Sequence, residues 1–212
     1  MTGKTTALPH IYSGKVRELY AVEHDAFFFE DGAEPAQFDG YARIGHELLD
    51  DLAEPPAAVV VPVGNGALAI GVFRALADRT PDARRIAVSA AGAPAMYESW
   101  RAGRPVDSER SATFADGLAV RVAIPYAVDV LARTAQRMVR VDERELATAI
   151  GALASAGIRV EASGAAALAA LAQVEDVAGP VVLIVTGRNI DDALYRRAVE
   201  DPGSFPSRNA TT

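Results

Sequence analysis

Residues 58–71 read Ala-Val-Val-Val-Pro-Val-Gly-Asn-Gly-Ala-Leu-Ala-Ile-Gly. The opening run, Ala58 with Val59, Val60 and Val61, is apolar and mostly β-branched, which predicts a strand buried on both faces. A turn follows at Gly64, Asn65 and Gly66, and the Ala/Leu-rich stretch from Ala67 to about Ala77 predicts a helix. The first N–H groups of that helix have no partner within it and point past the end of the strand. Small residues in the turn leave the approach open, so the stretch has the physical form of a phosphate-binding loop.

Outward from this unit, helix and strand patterns alternate. A helix is predicted over 41–52, with Ile44, Leu48, Leu49 and Leu52 on one stripe. Strands are predicted over 58–63, 85–89, 137–141 and 181–185, with a short one at 158–160. Helices are predicted over 94–101, 125–133, 143–154, 163–171 and 191–199. Pro94 and Pro125 suit first helical positions, and Asp142 with Glu145 makes a capping box. Strands alternating with helices predict an α/β fold with an open, largely parallel sheet flanked by helices. Ligands collect at the carboxyl ends of the strands in such sheets.

The ends read differently. Residues 1–30 are β-flavoured, with alternation over 10–20 and three consecutive phenylalanines at Phe27, Phe28 and Phe29. Residues 32–40, containing Pro35, read as a loop or linker. The main domain is expected over 31–200, and residues 201–212, mixing Pro, Gly, Ser and Asn, read as a disordered tail.

The chain has 212 residues, no cysteine and a net charge of −7. That excludes disulfides and thiolate chemistry and speaks against nucleic acid, which wants a basic face. No long apolar run and no signal peptide stand out, so no membrane partner is expected and a cytoplasmic location follows. His10, His24 and His46 lack ligand spacing, and Tyr97 and Trp100 read as packing residues on a helix face.

Three ligand classes use a glycine-rich strand–turn–helix. A nucleoside triphosphate loop needs Gly-Lys-Ser/Thr, and no lysine follows Gly66. A dinucleotide fold wants Gly-x-Gly-x-x-Gly and an acid ending the next strand, where Ser89 stands here. A small phosphorylated cofactor remains, beside the plain alternative of a turn that merely packs a helix on a sheet.

Four segments in order resemble one family. Val63-Gly64-Asn65-Gly66-Ala67-Leu68 with Gly71 resembles the tetraglycine phosphate loop of the fold-type II pyridoxal-phosphate enzymes, the threonine and serine dehydratase, serine racemase and threonine synthase group. Thr113-Phe114-Ala115-Asp116-Gly117-Leu118-Ala119-Val120 resembles its Thr-Ile-Ala-Asp-Gly-Leu-Ala-Val. Glu161-Ala162-Ser163-Gly164-Ala165 resembles its Glu-Pro-Ser-Gly-Ala, and Thr186-Gly187-Arg188-Asn189-Ile190-Asp191 its Ser-Gly-Gly-Asn-Val-Asp. The likeness runs from about Phe28 to Asp192 and corresponds to the family's C-terminal half.

The resemblance implies that Gly64, Asn65, Gly66, Ala67 and Leu68 cradle the phosphate of pyridoxal 5′-phosphate. It implies that Thr186 faces the pyridine nitrogen and that Glu161 lies beside the ring. A neutral hydroxyl at that nitrogen suits elimination more than transamination. Ser89 stands where one branch of the family has a metal-binding glutamate, so no metal site is expected there. The family's reaction begins with a lysine held as a Schiff base in a Ser-x-Lys-x-x-Gly context. This chain has only Lys4 and Lys15, neither in that context, and arginine cannot take the role because its guanidinium stays protonated.

A second resemblance covers residues 8–24. Gly14-Lys15-Val16-Arg17-Glu18-Leu19-Tyr20 is similar to the N-terminal hairpin of SAICAR synthetase, which covers ATP phosphates and would make Lys15 a phosphate contact. The plain alternative is an edge hairpin with solvated charges. The expectation is therefore a dehydratase-like β-eliminating lyase without catalytic residues of its own, binding its cofactor weakly or non-covalently. Its expected ligand is small and amino-acid-like, and its partner a second copy or a complementing N-terminal-half subunit. The alternatives are a non-catalytic protein binding a phosphorylated ligand, a broken or fused gene product, and an ATP-dependent ligase fragment.

Overall fold

The computed structural model describes residues 10–13, 18–20 and 32–208. Met1–Glu30 and Asp31–Thr212 form two units. In the first, β1 (His10–Ser13) pairs antiparallel with β2 (Glu18–Tyr20), with an irregular register between His10 and Tyr12. Lys15 and the phenylalanines at 27–29 lie outside the described residues.

In chain order the second unit runs α1 (Pro35–Asp51), β3 (Ala58–Pro62), α2 (Ala67–Arg79), β4 (Arg84–Ala90) and α3 (Ala95–Ala102). It continues with α4 (Pro125–Thr134), β5 (Arg137–Val141), α5 (Glu143–Ser155), α6 (Ala162–Ala169), β6 (Val181–Leu183) and α7 (Asp192–Glu200). The sheet order is β5-β4-β3-β6, and every pairing is parallel. In register, Val60 sits between Ile86 and Leu183. This is the expected α/β fold with a parallel sheet flanked by helices.

The two-residue period of the strands separates two cores. Ala58, Val60, Ile86, Val88, Val139 and Val141 join one with Leu146 and Ile150 of α5 and the alanines of α6. Val59, Val61, Ala87 and Met138 join the other with Phe38 of α1, Ile70 and Phe73 of α2 and Leu131 of α4. Ala58 to Val61 are all fully buried, which is why that run carries no polar alternation. Each such valine contributes about 1.5–3 kcal/mol of burial. The capping box is present: Glu145 N–H donates to Asp142 Oδ1 at 2.9 Å and Asp142 N–H to Glu145 Oε2 at 2.6 Å.

Three expectations are corrected. Residues 32–40 are not a linker, because α1 starts at Pro35, whose missing N–H costs nothing in a first turn. The Gly32 N–H donates to Gln37 Oε1 at 2.7 Å. Phe38, fully buried, stacks on Tyr126 and lies under the Arg74 guanidinium, which outweighs the roughly 1 kcal/mol that Gly40 costs a helix.

Residues 158–160 form no strand. Ile158 completes the end of α5, with Gly157 at φ +78°. Ile158 N–H bonds Leu153 O at 2.9 Å and Gly157 N–H bonds Ala154 O at 2.9 Å, a Schellman pair that uses the backbone locally.

Residues 202–208 are not a frayed tail. A 3-10 turn at Pro202–Ser204 delivers Phe205, 4% exposed, onto the Phe114 ring with centroids 4.7 Å apart. Arg144 N–H bonds Pro206 O at 3.0 Å, and Arg208 Nη2 bonds Glu145 Oε2 at 2.8 Å. A single buried aromatic and a few bonds at a helix start fix a segment whose composition alone looks loose.

Candidate functional site

Because the strands are parallel, their carboxyl ends lie on one edge of the sheet, and there β3 and β6, being neighbours, open a cavity of about 170 Å³. Its walls are Tyr41, Pro62, the turn 64–68, Gly117, Leu118, Glu161, Ser163 and Thr186. All seven residues singled out in the sequence, Gly64, Asn65, Gly66, Ala67, Leu68, Glu161 and Thr186, line this one space.

The turn follows β3 directly, and Val63 N–H continues the ladder to Val88 O at 2.7 Å. Gly66 caps α2 at φ +101°, a conformation that L side chains rarely adopt, and no side chain caps the helix there. The helix ladder begins with Ile70 N–H to Gly66 O at 2.9 Å, which leaves the N–H groups of Ala67, Leu68 and Ala69 without helical acceptors. A Cβ on Gly64 would collide with the carbonyl oxygen of Gly117, and one on Gly66 would press on Leu131 at 2.9 Å.

Opposite the turn, segment 113–118 is pinned from two sides. Gly117 N–H donates to Ser163 Oγ at 2.9 Å, and Phe114 N–H donates to Glu143 Oε2 at 2.9 Å. Glu143 is 9% exposed and its Oε1 has no partner among the described residues. Burial pushes its carboxyl above the ordinary value, against the opposing pull of the Phe114 N–H.

Glu161 precedes α6, and its Oε2 accepts from Asn189 N–H at 3.0 Å. Its carboxyl packs where a side chain on Gly187 would stand, and the carbonyl of Thr186 lies against the bare α-carbon of Gly164. Glycines at 164 and 187 therefore let the 186–189 turn close on α6. Burial raises the Glu161 carboxyl above its ordinary value, Asn189 N–H lowers it, and the nearby charge of Asp116 raises it further. Among the described residues no group of three or more acids and histidines is placed to hold a metal. Ser89 is buried on β4, its hydroxyl without a hydrogen-bond partner among the described residues.

Sequence reasoning missed Tyr41 and the pinning roles of Ser163 and Glu143. Nothing local marks Tyr41, which reaches the cavity from α1 because α1 and α2 cross closely; the available signal was Gly71, the bare position beneath it.

The profile of the family described as "Pyridoxal-phosphate dependent enzyme" matches residues 10–187, reaching back beyond the Phe28 start that the motifs mark. Over 172 residues the chain is 34% identical to an L-threonine ammonia-lyase from Geobacter sulfurreducens, covering 80% of this chain and 42% of that protein. Over 165 residues it is 37% identical to a biosynthetic L-threonine dehydratase from Mycobacterium leprae, covering 76% and 39%. It superposes on the processed form of threonine deaminase isoform 2 from Solanum lycopersicum with a TM-score of 0.75 at 28% identity, covering 82% of this chain and 51% of that one. Maize serine racemase follows at a TM-score of 0.68 and 27% identity, covering 76% and 52%. The chain spans less than half the length of these curated relatives. With a family match over residues 10–187 and this cavity at the strand ends, the chain belongs to the pyridoxal-phosphate dependent enzyme family.

Proposed function

We propose that this chain is the cofactor-phosphate portion of a threonine/serine dehydratase-like lyase. It holds pyridoxal 5′-phosphate non-covalently in the cytoplasm and does not turn over substrate alone. The observation that carries the reading is the convergence of the turn 64–68, Glu161 and Thr186 on one cavity. The residues fit the phosphate end of the cofactor, since the cradle exists only because Gly64 and Gly66 carry no Cβ. The N–H groups that begin α2 suit an anion and need no lysine.

When bound, pyridoxal phosphate supplies an electron sink for elimination from a small amino acid. Around it Thr186 would offer the ring a neutral hydroxyl, and Glu161 is held in place by Asn189 N–H. Among the described residues no lysine amine faces the cavity, because residues 32–208 contain no lysine. The space of about 170 Å³ is also below the roughly 300–1,000 Å³ that encloses a whole small-molecule ligand. Both facts support a site whose remaining wall and amine come from a second copy or a complementing subunit. The missing amine equally favours a second reading, a non-catalytic protein that binds a phosphorylated ligand and never eliminates.

The test is a titration of purified protein with pyridoxal phosphate, followed by borohydride. Reversible binding with no adduct fixed at a specific core residue, and no ammonia released from threonine, is expected. Stoichiometric reduction onto one lysine with dehydratase turnover would sink the proposal. Turnover that arises on adding the lysine-bearing half of a relative separates the lyase from the pure binding protein.

A further inference from the structure

Tyr41 is the cavity residue that no motif accounts for. It stands on α1, 39% exposed at the cavity mouth, and lines the same space as residues 64–68. Its position is set by Gly71. An added Cβ there would lie 2.5 Å from Tyr41 Cβ, 2.6 Å from Phe38 O and 2.7 Å from Ala42 N, so α1 rests directly on the α2 backbone. Gly71 is one helical turn beyond Ala67, and Tyr41, resting on it, lines the same cavity as Ala67 and Leu68 of the first turn of α2.

The charges of the lining give the ring a task. Among the described residues lining the cavity, Tyr41 and Glu161 are the only ionisable ones, and neither lysine nor arginine is among them. A phosphate seated here meets no cationic side chain of that lining and lies next to a wall that carries a carboxyl. Glu161 sits on the 187–189 turn after β6, so the anion belongs on the α2 side, with Tyr41. The three terminal oxygens of a phosphoryl group together accept more hydrogen bonds than the open N–H groups of one helical turn supply. The Tyr41 hydroxyl, with no hydrogen bond among the described residues, is a side-chain donor at that end.

We propose that Tyr41 is a binding residue of the phosphate site: its phenol donates to the phosphoryl group seated on residues 64–68 and makes the site prefer a phosphorylated ring over its unphosphorylated counterpart. This rests on the cofactor reading above.

The probes are pyridoxine 5′-phosphate and pyridoxine, which carry no aldehyde and so cannot react with Lys4, Lys15 or the amino terminus. Each is titrated into the full chain and into Tyr41→Phe, which keeps the ring over Gly71. The expected result is a loss of about five- to tenfold in pyridoxine phosphate affinity, the size of one hydrogen bond to a charged group at a partly exposed position. Pyridoxine affinity and the thermal melt should stay unchanged.

Equal weakening of both probes would make Tyr41 a packing residue and overturn the inference. Unchanged binding of the phosphorylated probe would overturn it too, and in either case tight wild-type binding leaves the cofactor reading standing. Wild-type protein that does not distinguish the two probes removes both.

Discussion

The α-carbon of Gly64 lies against the carbonyl oxygen of Gly117, with no space for a side chain between them. That contact joins the turn after β3 to segment 113–118, so two of the four family-like segments meet backbone to backbone. Gly64→Ala is expected to cost about 1–3 kcal/mol as an overpacked contact and to weaken phosphorylated ligands as the cradle shifts. Gly40→Ala is the matched control, because a Cβ there meets nothing within 4 Å on an exposed helix position. It should be neutral or stabilise by up to about 1 kcal/mol. Denaturant melts of the two variants read the contrast, and equal melts would mean the Gly64–Gly117 contact is soft.

Gly66→Asp should weaken phosphate-ligand binding more than Thr186→Ala. A carboxylate in the turn repels the anion and obstructs the N–H groups, whereas one neutral hydroxyl contact is worth about 0.5–1.5 kcal/mol. Gly66 is also held at φ +101°, so Gly66→Ala carries the strain without the charge. The order expected in a titration is Gly66→Asp weakest, then Gly66→Ala, then Thr186→Ala. Identical affinities for Gly66→Asp and Gly66→Ala would show that charge at the turn is irrelevant.

Glu143 predicts a loss of stability as pH rises above the ordinary carboxyl range. Burial raises its folded-state pKa above the ordinary 4.5, so the protonated carboxyl is favoured in the folded chain. Its contribution is fully present below the unfolded value and is lost as pH rises through the folded value. Glu143→Gln keeps an acceptor for Phe114 N–H and cannot ionise. Thermal melts across that window, from 4.5 upward, should fall with pH in the wild type and less steeply in Glu143→Gln. Parallel curves would show that the carboxyl does not titrate against the fold.

What the sequence made legible follows the range of the forces involved. The Ala58–Val61 run, the Gly64–Gly66 turn and the Asp142/Glu145 box are short-range patterns, and the structure keeps all three. The family-like segments were readable because each is a short run whose residues are dictated by a close backbone approach, such as Gly64 at Gly117 and Gly164 at Thr186. The errors are tertiary. Residues 158–160 have strand composition, yet they pair with no strand and the Ile158 N–H is spent on the end of α5. Residues 35–40 carry Pro and Gly and look like a loop, but Phe38 fills a gap under Tyr126 that no local pattern announces. Tyr41 belongs to the same class, since it reaches the cavity only where Gly45 and Gly71 let α1 and α2 cross.

The segment after α7 gives the sharpest test of that distinction. Composition makes 201–208 dispensable, whereas the structure buries Phe205 between the Phe114 ring and the Arg197 guanidinium, 4.3 Å from its centroid. Phe205→Ala is therefore expected to destabilise by roughly 3 kcal/mol, as a buried aromatic does. Arg208→Ala should cost at most about 1 kcal/mol, because its pairing with Glu145 is partly exposed and screened. Deleting residues 205–212 adds an acid-side signature. Burial pulls the Asp142 carboxyl upward, but the N–H groups of Arg208 and Glu145, the Ser207 hydroxyl and the Arg208 charge outweigh it and hold the carboxyl below its ordinary 3.8. A depressed acid stabilises above its unfolded value and loses that stabilisation as pH falls through the folded one. The deletion removes two of the three hydrogen-bond donors and the charge, so its melt should fall less steeply below pH 3.8 than that of the full chain. Phe114 also lies in the segment that meets Gly64, so the deletion should loosen phosphate-ligand binding as well. A deletion variant with the melt, acid profile and affinity of the full chain would show that residues 205–208 only rest on α5.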